Sequence, residues 1–382
     1  MSDSGGCGMR QTKLSSFFLA PGSRTRSDPD TSHNDSSRTL SRDSSISNDV
    51  IMENDSSQEE PVSALSRFRR PKPRSMADLD RQTALRLAAQ ETKSLLPGLL
   101  KTIPHAPPHG HLYSSADLPL LRQRYCPGFL PAEIKVLDAD SFDTAINVTK
   151  IGEYMAVRDK RNVCVLNMAN AHSAGGGWLN GAMAQEEALC YRRYYMFFKC
   201  LFQISELELN TICSSLSFSL KLRHYPLDED QAIYSPTVVI IRDNFEQGHN
   251  LLDLTNPDEL PLVSVISIAA LCLPPLDDSG PLPKYRNSND RKLMKEKMRI
   301  VLRTAAFNGH RRLVLGAFGC GAFRNPREEV ADCWAEVLAE PEFGGGWWES
   351  ICFAVLDDLN AGKSGNGNFG VFYRKLHGTI IR

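Results

Sequence analysis

The pattern of apolar and polar positions divides the chain near residue 75. Residues 1–75 are dense in Ser, Asp, Arg and Asn, with few apolar positions. Such a segment cannot bury enough apolar surface to offset chain entropy, so a disordered N-terminal tail is expected there. From Met76 onward the pattern becomes periodic. Residues 78–96 place Leu85, Leu87, Ala88 and Leu95 at helical spacing. After a Pro- and His-rich connection, strand-like and helix-like stretches alternate. Strands are expected at 134–137, 162–166, 237–241, 262–269, 312–315 and 351–356, and helices at 141–158, 289–307 and 327–338. Asn287 or Ser288 can cap the long helix, and Gly309 sits just past its end. This alternation predicts an α/β sandwich built on a mostly parallel or mixed sheet.

Two glycine loops interrupt the pattern directly after buried strands. The first, 167–177 (NMANAHSAGGG), follows the strand ending at Leu166, and the second, 316–326 (GAFGCGAFRNP), follows the strand ending at Leu315. In open α/β sheets ligands bind beyond the carboxyl ends of strands. Glycine lets backbone N–H groups approach an anion with no Cβ in the way, so two such loops on one sheet edge can grip a diphosphate. The second loop also leads into a helix N-terminus, which favours anions. Gly175-Gly176-Gly177 is followed shortly by Gln185-Glu186-Glu187, which contains a carboxylate pair that supplies a candidate acid. The competing reading is a pair of ordinary turns and a solvated acidic pair at a helix start. Gly362-Lys363-Ser364 is rated a loop, because the following GNGNFG does not look like a helix start.

Composition narrows the chemistry. The net charge of −1 over 382 residues offers no general basic field for a polyanion, so phosphate recognition must be local, and no direct DNA binding by the folded region is expected. The ten cysteines are scattered, with no Cys-x-x-Cys, which argues against a zinc site or a disulfide scaffold and for reduced intracellular thiols. The apolar stretch 262–276 is too short to span a bilayer, and no membrane association is expected.

Gly-Gly-Gly, a short spacer and Gln-Glu-Glu resemble the signature of poly(ADP-ribose) glycohydrolases, most closely the compact microbial type. Residues 86–92 (RLAAQET), 167–177, Tyr234-Ser235-Pro236, 316–326 and 353–357 (FAVLD) agree, so that the resemblance covers 76–382. It implies a macrodomain-like three-layer α/β/α sandwich with a mixed sheet, and hydrolysis of the ribose–ribose O-glycosidic bonds of poly(ADP-ribose) without a metal or cofactor. It assigns the catalytic acid to Glu187, with Glu186 and Gln185 positioning substrate. Gly175, Gly176 and Gly177 would press on the diphosphate and distal ribose. Gly319, Gly321 and Phe323 would form the second phosphate loop, and Asn170 would be a ribose contact. Poly(ADP-ribose) or ADP-ribosylated proteins are the implied partners. Two other functions stay open, a non-catalytic ADP-ribose reader and a hydrolase of single ADP-ribose units on proteins.

Two segments depart from this core. After Glu187 the chain reads Ala188-Leu189-Cys190-Tyr191-Arg192-Arg193, while the Ser-Ser-Leu continuation of the family pattern appears only at 214–216. The intervening apolar and aromatic insert, 194–213, is read as a translated, unspliced intron, the rival being a genuine insertion that weakens activity or alters substrate access. In the tail, Gln11, Leu14, Phe17 and Phe18 fit Gln-x-x-Leu-x-x-Phe-Phe. This resembles the box that docks on the DNA sliding clamp, proliferating cell nuclear antigen, as a one-turn apolar plug with a polar anchor. The basic run 67–74 (RFRRPKPR) resembles a nuclear-import signal. Clamp binding, the basic run and the implied substrate together predict a nuclear protein.

Overall fold

The computed structural model describes residues 76–100, 103, 109–154, 161–192, 220, 222–357 and 359–382. The tail with its clamp motif and basic run, and the insert 194–213, lie outside the described residues. Contacts divide the chain into Met1–Arg70 and Pro71–Arg382, and everything described belongs to the second unit.

The elements are α1 (Met76–Leu100), β1 (His111–Ser114), β2 (Ala132–Leu137), α2 (Ser141–Tyr154), β3 (Cys164–Met168), α3 (Gln185–Arg192), β4 (Gln231–Val239), β5 (Leu262–Ile268), β6 (Leu276–Asp277), β7 (Lys284–Tyr285), α4 (Ser288–Phe307), β8 (Arg312–Leu315), α5 (Arg327–Leu338), β9 (Ser350–Ala354), α6 (Asn368–Leu376) and β10 (Ile380–Ile381). Eight strands form one sheet in the order β1-β4-β5-β3-β8-β9-β2-β10. The run from β5 through β3, β8 and β9 to β2 is parallel, while β1, β4 and β10 pair antiparallel. The expected mixed sheet is therefore present.

The central strands are apolar on both faces, as strands covered on both sides must be. Along β3, Cys164 and Leu166 join the core formed with α4, α5 and α6, whereas Val165 joins the opposite core with Phe142 and Ala145 of α2 and Leu189 of α3. This alternation makes three layers. α1 adds a further cover through Leu85 and Ala89, which pack with Trp178 and Tyr191.

β8 and α5 run where the sequence pattern places them. β4 begins at Gln231, well before the expected Thr237, because Pro236 sits at a register shift between Ser235 and Val238. Proline is tolerated at such a bulge, so it does not end the strand. GNGNFG does open a helix, contrary to expectation. Gly367 takes the cap position, and α6 buries Phe369, Phe372 and Leu376, spaced to lie on one face. Gly362–Ser364 itself is an exposed single turn. β1, the β6–β7 pair and β10 are too short to leave a periodic signal.

Candidate active site

β3 and β8 are neighbouring parallel strands, so the two glycine loops emerge on the same sheet edge. Their pairing covers only Cys164–Val165 against Leu313–Val314, and beyond that point the strands part. Gln185, the first residue of α3, reaches into the gap. Its Oε1 accepts from the Met168 N–H at 3.0 Å, and its Nε2 donates to the Leu166 carbonyl at 2.8 Å and to Ser141 Oγ at 3.3 Å. The carboxamide completes the ladder of β3 and positions α3, while Gln185 also lines the cavity described below.

The carboxylate pair follows, and it is not solvated. Glu186 is 3% exposed and Glu187 8%. Glu186 Oε2 accepts from the Asn170 N–H at 2.8 Å and Oε1 from the Gly175 N–H at 3.2 Å, with Asn167 Nδ2 at 3.5 Å. Glu187 Oε1 accepts from the Gly177 N–H at 2.8 Å and Oε2 from the Ala184 N–H at 3.0 Å. The N–H of Gly176 closes a turn onto the Ser173 carbonyl. All three glycine amides are therefore directed within the protein, and the groups that the first loop holds are its own two carboxyl side chains. Buried polar groups need such partners.

The glycines allow this close approach. Gly176 has φ +60°, and a Cβ there would lie 2.2 Å from Glu187 Oε1 and 3.0 Å from Glu186 Oε2. The loop is braced from outside. Gln82 Nε2 and Arg86 Nε of α1 donate to the Asn180 carbonyl, and the Tyr191 hydroxyl lies 2.8 Å from the Trp178 and Ala182 carbonyl oxygens. Burial, helped by the nearby Glu187, pushes the Tyr191 phenol well above its usual range, so it stays a neutral donor. The far end of α3 is tied by Arg192, buried against Asp140 and Asp143 at the start of α2. The described helix thus closes on an anchor just before the insert.

The second loop is built differently. Asn325 braces it, accepting from the Tyr285 hydroxyl at 2.9 Å and donating through Nδ2 to the Leu271 and Gly319 carbonyls at 2.7 and 3.0 Å. Gly319 has φ +74°, and a Cβ there would meet Asn325 Nδ2 at 2.5 Å. Among the described residues, the N–H groups of Gly319, Gly321, Ala322 and Phe323 have no protein acceptor. These amides are open to an acceptor, as an anion-binding loop requires.

A cavity of about 870 Å³ joins the two loops and is lined by Asn170, Glu186, Glu187, Gly319, Gly321 and Phe323, among others. Its size is that of a ligand site. Gly175, Gly176 and Gly177 stand behind the carboxylates instead of on the cavity wall. Asn170 lines the cavity, but its Oδ1 accepts the His172 and Ser173 N–H groups at 2.8 and 3.0 Å. Asn167 and Ser267, joined by a 2.9 Å hydrogen bond, complete the support of Glu186. Sequence reasoning passes over both, although a polar residue inside each of the apolar runs NVCVLNM and LVSVISI is a visible signal.

The three layers, the mixed sheet and a site at the parallel strand ends define a macrodomain-like fold. Residues 100–243 match the family model described as microbial-type PARG (poly(ADP-ribose) glycohydrolase), catalytic domain. The fold is similar to the poly(ADP-ribose) glycohydrolase of Thermomonospora curvata, with 26% identity, TM-score 0.57 and coverage of 77% of this chain and 99% of that one. It is also similar to the Deinococcus radiodurans enzyme in complex with ADP-ribose, with 27% identity, TM-score 0.53 and coverage of 74% of this chain and 97% of that one. No curated protein matches the chain. Over residues 100–243 the chain thus resembles the catalytic domain of microbial-type poly(ADP-ribose) glycohydrolases.

Proposed function

We propose that the chain hydrolyses the ribose–ribose O-glycosidic bonds of poly(ADP-ribose) and releases ADP-ribose, with Glu187 as proton donor. The supporting observation is that two buried carboxylates are held by backbone N–H groups on one wall of a cavity whose other loop presents open amides. The Thermomonospora relative has also been solved with the inhibitor ADP-HPD. The diphosphate of the terminal unit rests on the amides of Gly319, Gly321, Ala322 and Phe323, with the Phe323 ring against the ligand. Glu186 accepts the hydroxyls of the terminal ribose. As the glycosidic bond breaks, Glu187 gives its proton to the leaving ribose oxygen and the sugar becomes oxocarbenium-like. The carboxylate so formed takes a proton from water as the water oxygen bonds to the anomeric carbon, which returns Glu187 to its acid form.

The purified protein is expected to release ADP-ribose from polymer faster than it removes single units from a modified protein. Equal rates would favour action on single units, and binding with no release at all would favour a reader. Asn325→Ala removes the brace of the second loop and is expected to weaken ADP-ribose binding about tenfold, by calorimetric titration, with the Glu187 wall intact. Unchanged affinity would remove that loop from the phosphate site.

The clamp motif completes the proposal, placing the enzyme at nuclear sites of DNA synthesis or repair. A peptide spanning residues 8–22 is expected to bind the sliding clamp, and replacing Phe17 and Phe18 with Ala is expected to abolish binding, since buried aromatic anchors dominate such contacts. Equal binding by the substituted peptide would discard this tether.

A further inference from the structure

Besides Phe323, three further aromatic rings line the cavity. Tyr191, whose ionisation feels Glu187, lies 5.6 Å from the His249 ring, and His249 lies 5.6 Å from the Phe245 ring. All three line the cavity that holds the carboxylates. Phe245 is 45% exposed, yet the turn that presents it is tightly made. Asn244 Oδ1 accepts the Gln247 N–H, the Phe245 carbonyl accepts the Gly248 N–H, and the Asn244 carbonyl accepts the His249 N–H. Outside the turn, Asn244 Nδ2 donates to Asp143. Arg242 donates to Thr92 Oγ1, to Glu91 and to the His249 carbonyl at 2.8, 2.7 and 2.8 Å. His249 adopts φ +53°, an uncommon conformation for a residue with a side chain. A half-exposed phenyl ring, with the Arg81 guanidinium 5.7 Å from its centroid, is thus held on the cavity wall by a self-bonded turn.

The two ends of α3 give this wall its direction. At Gln185 the helix is tied to β3, whose neighbour β8 carries the open amides. At Arg192 it is tied to Asp143, which also holds Asn244. Glu187 sits in the first turn. A terminal ADP-ribose unit reaching from Glu187 to the second loop leaves the Phe245 wall for whatever departs with the leaving oxygen.

We propose that Phe245 is a stacking platform for the adenine of the neighbouring unit, the one on the leaving side of the scissile bond. This rests on the polymer-hydrolysis reading above. The ribose that departs carries an adenine. Of the groups in the polymer, the base alone offers a π face to a phenyl ring. Glu246 adjoins Phe245 and the Arg81 guanidinium lies 5.7 Å from its ring centroid, so opposite charges flank the ring and its π face is what selects the base. A single ADP-ribose on a protein side chain has no such base, so the platform selects polymer.

The test uses the full chain carrying Glu187→Gln, titrated with ADP-ribose and with a two-unit ADP-ribose oligomer. The oligomer is expected to bind more tightly than ADP-ribose. Adding Phe245→Ala should weaken the oligomer about tenfold, as loss of one base–aromatic stack does, and leave ADP-ribose unchanged, while Phe245→Trp retains the gain. If both ligands bind and Phe245→Ala changes neither, or weakens both alike, the platform is refuted while the functional reading stands. If neither ligand binds before Phe245 is changed, the functional reading falls and takes the platform with it.

Discussion

Gly176→Ala is expected to cut polymer hydrolysis by about a hundredfold or more, although the added methyl touches no substrate. Two effects combine. At φ +60° a Cβ costs about 1–2 kcal/mol of backbone strain. The larger effect is steric. The new carbon would stand 2.2 Å from Glu187 Oε1 and 3.0 Å from Glu186 Oε2, so either the loop or both carboxylates must move. If the loop moves, Gly175 and Gly177 withdraw the N–H groups that hold the pair. If the carboxylates move, the proton donor leaves its place, and a shift of about 1 Å in a catalytic group can cost about a hundredfold. Steady-state kinetics should show the loss in kcat more than in KM, because the open amides of the second loop are untouched. A variant with wild-type kcat would mean that the glycine loop does not set the position of Glu187.

Glu187→Gln is expected to lower release of ADP-ribose by about a thousandfold, within the range that general acid–base catalysis supplies. The substitution is close in shape but different in hydrogen bonding. Glu187 accepts one backbone N–H on each oxygen, from Gly177 and from Ala184. A glutamine has one oxygen, so its NH₂ must face one of those donors. One amide is left without its acceptor, and stability should fall by about 1–3 kcal/mol, visible as a lower Tm. The loss of rate must therefore be read on protein shown to be folded and to bind ADP-ribose.

The layout of the site is legible in the sequence, and its internal wiring is not. Loops after the strands ending at Leu166 and Leu315 are expected on one edge, and the adjacency of β3 and β8 places them there. A strand–loop pattern carries that information because parallel strands share their carboxyl ends. Which groups the loop amides serve depends on where α3 folds back, a tertiary fact with no local signal. The sequence accordingly assigns a diphosphate to the first loop, which holds Glu186 and Glu187 instead. The carboxamide bonds of Gln185 are invisible for the same reason: it lines the cavity beside the acids, yet its carboxamide also completes β3. Pro236 hides the first half of β4 because tolerance of proline depends on a bulge that pairing creates. Phe245 is hidden among polar turn residues, and its place on the cavity wall comes from Asn244 and Arg242, which bind distant elements.

The central claim is that Glu187 delivers the proton that breaks the ribose–ribose bond. The most direct measurement is single-turnover release of ADP-ribose from purified poly(ADP-ribose) by wild-type and Glu187→Gln proteins, each first titrated with ADP-ribose. The account predicts ADP-ribose binding by both proteins at similar affinity, with release by the wild type alone on the timescale of one turnover. Release by Glu187→Gln at a rate near that of the wild type would contradict it.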